Sequence, residues 1–167
     1  MNRTVAATLG ALALTASVLA TPAPAFADER VCRGSLGAIT VDNVRVPQNA
    51  SCTLTGTDVQ GTVKIENGAT LVARNVSVEG NVQSEGHAKV VVRSSRVDGS
   101  IQLVQGRAAT LTGNRVGSDV QSFENSRAQT ISNNRIGGNL QCKENRPAPT
   151  GSGNVVEGNK EDQCRRL

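Results

Sequence analysis

The chain has no tryptophan and no tyrosine, and its two phenylalanines are Phe26 and Phe123. A core built on large rings is thereby excluded, as is a sugar site made of stacked Trp and Tyr. Strong charge of one sign is also missing. The formal net charge of +4 falls to +3 without Arg3, a mild bias and no nucleic-acid signature. Basic residues without interleaved aromatics support a nucleic-acid site only weakly. Long apolar runs are absent after the first 20 residues, so no later segment is expected to cross a membrane.

The one apolar run is informative. Met1 to Arg3 form a short basic start, Val5 to Ala20 are almost wholly apolar, and Ala25, Phe26 and Ala27 make a small-residue cleavage pattern. Residues 1–27 are therefore expected to be a secretory signal peptide. Cleavage after Ala27 would release a single domain, 28–167, outside the membrane.

Within that domain one short pattern keeps returning. VQGTV starts at Val59, VEGNV at Val78, VDGSI at Val97, VGSDV at Val116 and IGGNL at Ile136, at steps of 19, 19, 19 and 20. Val44, Val63, Val82, Ile101, Val120 and Leu140 form one apolar column at this step. Leu54, Ala73, Val92, Leu111 and Ile131 form a second. Lys64, Gln83, Gln102, Gln121 and Gln141 form a polar column beside the first. The extra residue falls in a turn between Gln102 and Arg127, which leaves the strands in register.

Apolar and polar residues alternate within each copy, as in a strand with one face inward. Nineteen residues are too few for a helix, a strand and two connections, whereas two or three short strands with Gly, Asn or Ser turns fit. The expected fold is an all-β parallel β-helix of five or six coils. Its winding is expected to be right-handed, because the hexapeptide pattern of left-handed solenoids is absent. Gly61, Gly80, Gly99 and Gly138, with Ser118 in the same column, are expected at bends that need positive φ.

Cys32 and Cys52 lie 20 residues apart, and Cys142 and Cys164 lie 22 apart, each close to one coil. Four cysteines allow three connectivities. Vertical neighbours on adjacent coils satisfy disulfide geometry, so the period selects Cys32 with Cys52 and Cys142 with Cys164. These staples would hold an N-terminal cap, 28–38, and a C-terminal cap, 159–167, over the open strand edges in an oxidising setting. RPAPTGSGN, Arg146 to Asn154, is expected to be a loop in the last full coil.

Stacking makes columns of charge the places to look for chemistry. Glu79 with Asp98, and Glu66 with Glu85, would bring carboxylates about 5 Å apart, a separation used by retaining glycosidases. His87 and Arg96 are near enough in sequence to complete such a set. His87, in the turn SEGHAK, is nevertheless expected to be exposed and idle. No catalytic residue and no cofactor is assigned. The Gly- and Asp-rich nonapeptide that binds Ca²⁺ is absent, and no metal site is expected.

Arg96, Arg115 and Arg135 form a basic column suited to an acidic polymer. A charged face that discourages sheet pairing is the plainer explanation of that column. Thr53, Thr55, Thr57, Thr110, Thr112 and Thr130 do not make the continuous two-column array that ice binding uses. Asn75, Asn114 and Asn134 are expected to stack and hydrogen-bond along the axis. Asn49 and Asn75 match a glycosylation acceptor pattern.

The tail GNLQCKENRPAPTGSGNVVEGNKEDQC, Gly138 to Cys164, resembles that of small exported actinobacterial proteins with very similar GNLQCKEN, PAPTG and GNKEDQC strings. That resemblance implies export and a β-helix, but no reaction. More distantly, the coils look like those of pectate-lyase-type single-stranded β-helices and of bactofilins. The acidic and Arg motif of the lyases has no counterpart here to carry over. The expectation is a non-enzymatic secreted or cell-envelope protein that is structural or binds a partner. An acidic polysaccharide, a cell-envelope component or another protein is the expected partner. The alternative is a small polysaccharide lyase or glycosidase using Glu79 and Asp98.

Overall fold

A computed structural model describes residues 28–167; the signal-peptide assignment lies outside the described residues. The chain winds through about seven turns of a parallel β-solenoid, and the described residues contain no helix. Three parallel sheets run the length of the stack. Sheet I has eight strands, Glu29–Val31, Asn43–Val46, Val63–Ile65, Val82–Glu85, Ile101–Val104, Val120–Phe123, Leu140–Lys143 and Lys160–Asp162. Sheet II has six, from Gly34–Leu36 to Gln129–Ser132. Sheet III has seven two-residue strands, from Thr40–Val41 to Val155–Val156.

The sequence columns are the register. Val44, Val63, Val82, Ile101, Val120 and Leu140 are successive Cα partners in sheet I. Leu54, Ala73, Val92, Leu111 and Ile131 succeed one another in sheet II. Both columns are buried in one continuous core. The extra residue lies between Phe123, which pairs with Val104, and Gln129, which pairs with Ala109. The disulfides Cys32–Cys52 and Cys142–Cys164 both form, with Cα separations of 5.6 and 5.2 Å.

Both ends depart from expectation. Residues 28–38 are part of the stack, because Glu29–Val31 and Gly34–Leu36 pair with Asn43–Val46 and Ser51–Thr55. At the other end Lys160–Asp162 adds a strand to sheet I before the tail turns over the core and buries Leu167. This is why the turns outnumber the five or six repeats. The RPAPTGSGN stretch is a loop, as expected, tied to the stack by a single isolated bridge at Thr150. Ile131 donates its N–H to the Thr150 carbonyl at 2.9 Å, and Asn133 donates to Ser152 at 2.9 Å.

The corners follow a rule that the repeat did not disclose. Positive φ does not occur at Gly61, Gly80, Gly99 or Gly138. A Cβ on Gly80 would stand 2.7 Å from the Gly61 carbonyl oxygen, so that column is kept small by close approach of the turn below. Ser118, in the same column, shows that one turn there accepts a side chain. Positive φ occurs instead in two other columns. One holds Gly56, Asn75, Ser94, Gly113, Asn133 and Gly153; the other holds Asn49, Gly68, Gly86, Gln105, Glu124, Glu144 and Asp162.

A left-handed residue reverses the chain locally and aims its successor inward. After the first column come Thr57, Val76, Ser95, Asn114, Asn134 and Asn154, all buried. After the second come Ala50, Ala69, His87, Gly106, Asn125 and Asn145, again all buried, followed by the half-buried Gln163. These two inner corner columns carry most of the buried polar side chains; Ser84, Ser122 and Gln129 lie on strands.

Candidate functional site

Sheet III carries the arginine column. Arg96, Arg115 and Arg135 are consecutive partners, preceded by Ser77, Asp58 and Thr40. All three are exposed. Arg96 Nε donates to Asp98 Oδ1 at 2.6 Å, which raises the guanidinium pKa, and an Arg135 N–H donates to Glu157 Oε1 at 3.1 Å. Ion pairs this exposed contribute little and are screened by salt, so both arginines can exchange their carboxylates for those of a ligand. Arg115 stands between them, two residues before the side-chain-free Gly117.

Within each carboxylate pair the two residues fall one turn apart, as expected, and one member of each pair is already engaged. Asp98 follows Glu79 by one turn and is held by Arg96. Glu66 precedes Glu85 by one turn in the outer columns of sheet I. The Gln48 N–H, at 2.8 Å from Glu66 Oε2, is the main cause that holds its carboxyl below the usual range. Arg45 adds a further hydrogen bond at 3.2 Å.

His87 is the clearest correction. It is fully buried rather than exposed, because Gly86 before it is left-handed, with φ 78°, and directs the ring inward. Burial pushes its pKa down to about 4. Neither ring nitrogen has a hydrogen-bond partner, and the same holds for Ser84 Oγ and Gln129 Oε1. The fold thus separates His87 from the sheet III carboxylates that it would need for acid/base work.

The outer face of sheet I is organised more tightly than the polar column implied. Gln83 Nε2 donates to Gln102 Oε1 at 3.0 Å, Gln102 to Gln121 at 3.1 Å, Gln121 to Gln141 at 2.9 Å, and Gln141 to Glu161 at 2.8 Å. Beside this amide ladder runs a groove of about 800 Å³, lined by Lys64, Glu66, Gln83, Glu85, Gln102 and Val104 among others. In the same outer column as Glu85 and Val104, the next turn places Phe123 and the one after it Lys143.

The threonines are discontinuous, as expected. Thr53, Thr110 and Thr130 share a column with Val72 and Val91, while Thr55 and Thr112 share theirs with Arg74 and Arg93; Thr57 is buried. Asn114 and Asn134 do form a ladder, continued by Asn154. Asn75 does not join it, because it is the left-handed, exposed residue before the inward position. A second ladder, Asn125, Asn145 and Gln163, was not anticipated. Its sequence signal was the pair Glu124-Asn125 repeated as Glu144-Asn145 at the coil period.

No family model matches the chain, and no curated protein or solved structure matches it either.

Proposed function

We propose that this protein is a secreted, non-enzymatic binding protein of the extracellular space or cell envelope, which presents stacked side-chain columns to an extended polymer. The observation that carries the proposal is the register of Arg96, Arg115 and Arg135 on consecutive strands of a rigid solenoid. The backbones that carry them repeat about every 4.8 Å, and each guanidinium can grip a carboxylate or phosphate in bidentate fashion. An acidic polysaccharide lying along the coil axis matches that spacing and charge. Two disulfides across the terminal turns support work in an oxidising compartment. The described residues contain no helix long and apolar enough to cross a membrane.

The enzymatic alternative is less well supported, because His87 is buried in the interior while Glu79 and Asp98 are exposed. The test is retention of the purified protein in gels containing polygalacturonate. Wild type should be retarded, more weakly as salt rises, and Arg115→Glu should migrate as in a polymer-free gel. Equal retention of wild type and Arg115→Glu would refute the reading, and cleavage of the polymer would favour the enzyme.

A further inference from the structure

We infer that the outer face of sheet I is a second, separate binding site, for a linear uncharged polysaccharide lying along the coil axis. The evidence is the chemistry of two parallel outer columns. The first is the amide ladder, in which each of the four glutamines spends one N–H on the next turn, and Gln102, Gln121 and Gln141 each also accept from the turn before. A primary amide has two N–H donors and two acceptor lone pairs, so unspent donors and acceptors remain at every rung. The ladder also fixes side chains that would otherwise lose rotamer freedom on binding, which lowers the entropic cost of recognition.

The second column supplies the track. From Glu66 and Glu85 it passes to Val104, Phe123 and Lys143 on successive turns. Phe123 is the only aromatic among the described residues, and it stands outward and half-buried instead of filling the core. Val104, also half-buried, lies directly below it. An apolar strip beside a row of amides suits a pyranose chain, whose ring faces are apolar and whose edges carry hydroxyls. One sugar unit is roughly as long as one turn is thick. From Glu66 to Phe123 the track spans three steps, about 14 Å, room for a short run of units.

Charge selects the polymer. The rungs from Gln83 to Gln141 are uncharged, and in the groove Glu66 and Glu85 outnumber Lys64, so its net negative charge disfavours a polyuronate while Glu85 can accept hydrogen bonds from the hydroxyls of a neutral sugar. The groove of about 800 Å³ is within the usual range for a small-ligand site.

The test is affinity electrophoresis of the purified protein against soluble uncharged polysaccharides: a mixed-linkage β-glucan, a xylan and a galactomannan. At least one should retard the protein, and its oligosaccharides should shift the side-chain amide resonances of Gln83 and Gln102. Gln102→Val keeps a strand-forming residue and removes two ladder bonds, and should weaken binding at least tenfold. Phe123→Ala should weaken it severalfold, with circular dichroism and melting showing that both variants remain folded. The inference is overturned if none of the three polymers retards the protein, or if both variants bind as tightly as wild type. The two faces fail separately, because polygalacturonate reads the arginine column and the uncharged polymers read the groove.

Discussion

The two inner corner columns are built alike and end differently. In the column of Thr57, Val76, Ser95, Asn114, Asn134 and Asn154, every polar side chain from Ser95 onward accepts a backbone N–H from the turn before it. Asn114, Asn134 and Asn154 also donate to the Val92, Leu111 and Ile131 carbonyls at 2.8 to 2.9 Å. The other column repeats this with Asn125, Asn145 and Gln163, then breaks. Gly106 has no side chain to offer, and His87 beneath it is buried without partners. The same corner can thus house a satisfied polar ladder or an unpaired ring. What decides is whether the next turn brings an acceptor.

The largest effect should come from breaking the complete column. Asn134→Leu strands the Asn114 N–H and the Leu111 carbonyl in the interior, and should cost about 3 to 5 kcal/mol in denaturant unfolding. His87→Leu at the equivalent corner removes an unpaired polar ring, and should change stability by less than about 1 kcal/mol. Equal losses at the two positions would show that burial, and not pairing, sets the cost. Next comes the staple. Gln163, which closes the second ladder on Asn145, is adjacent to Cys164. The Cys142→Ser, Cys164→Ser variant should lose about 3 kcal/mol, and hydrogen exchange should quicken at the Asn145 amide before the Asn134 amide.

Acid should separate the columns further. The folded-state pKa of His87 is lowered to about 4 from an ordinary 6.5, so the unfolded chain binds the proton first. Above pH 6.5 the group has no effect on stability; between 6.5 and 4 stability falls with pH, and below 4 the loss levels off at about 3 kcal/mol. Glu66, whose pKa is also lowered, adds its own loss at lower pH. Unfolding midpoints measured from pH 7.5 to 4.5 should slope for wild type and be nearly flat for His87→Leu. A slope unchanged by the substitution would assign the acid sensitivity elsewhere.

Much of this fold was legible because the core is periodic. A strand face buried on every turn constrains Val44 to Leu140 and Leu54 to Ile131 at one step, and the cysteines share that step. The corners were less legible because direction there depends on the φ of the residue before. Gly86-His87 reads as an exposed turn, until Gly113-Asn114 and Asn133-Asn134 show that the second residue points inward. The end turns escaped the count because Glu29–Val31 and Lys160–Asp162 pair through backbone while breaking the apolar columns. The groove on sheet I escaped because outward positions need not repeat, and Glu85, Val104, Phe123 and Lys143 do not.

The most discriminating predicted effect is one that changes sign. A Cβ on Gly106 would lie 2.1 Å from His87 Cε1, so Gly106→Asn alone should destabilise by about 1 to 3 kcal/mol. Gly106 does not have positive φ, so its backbone accepts a side chain once the ring is gone. In a His87→Ala background, Asn at 106 would sit one turn before Asn125. Its carbonyl could accept the N–H of residue 87 and its amide could donate to the Ser84 carbonyl, as Asn125 does toward Gly106 and Leu103. The double variant should therefore be about 1 kcal/mol more stable than His87→Ala alone. If Gly106→Asn destabilises equally in both backgrounds, the ladder is not limited by the ring, and the broken column has another cause.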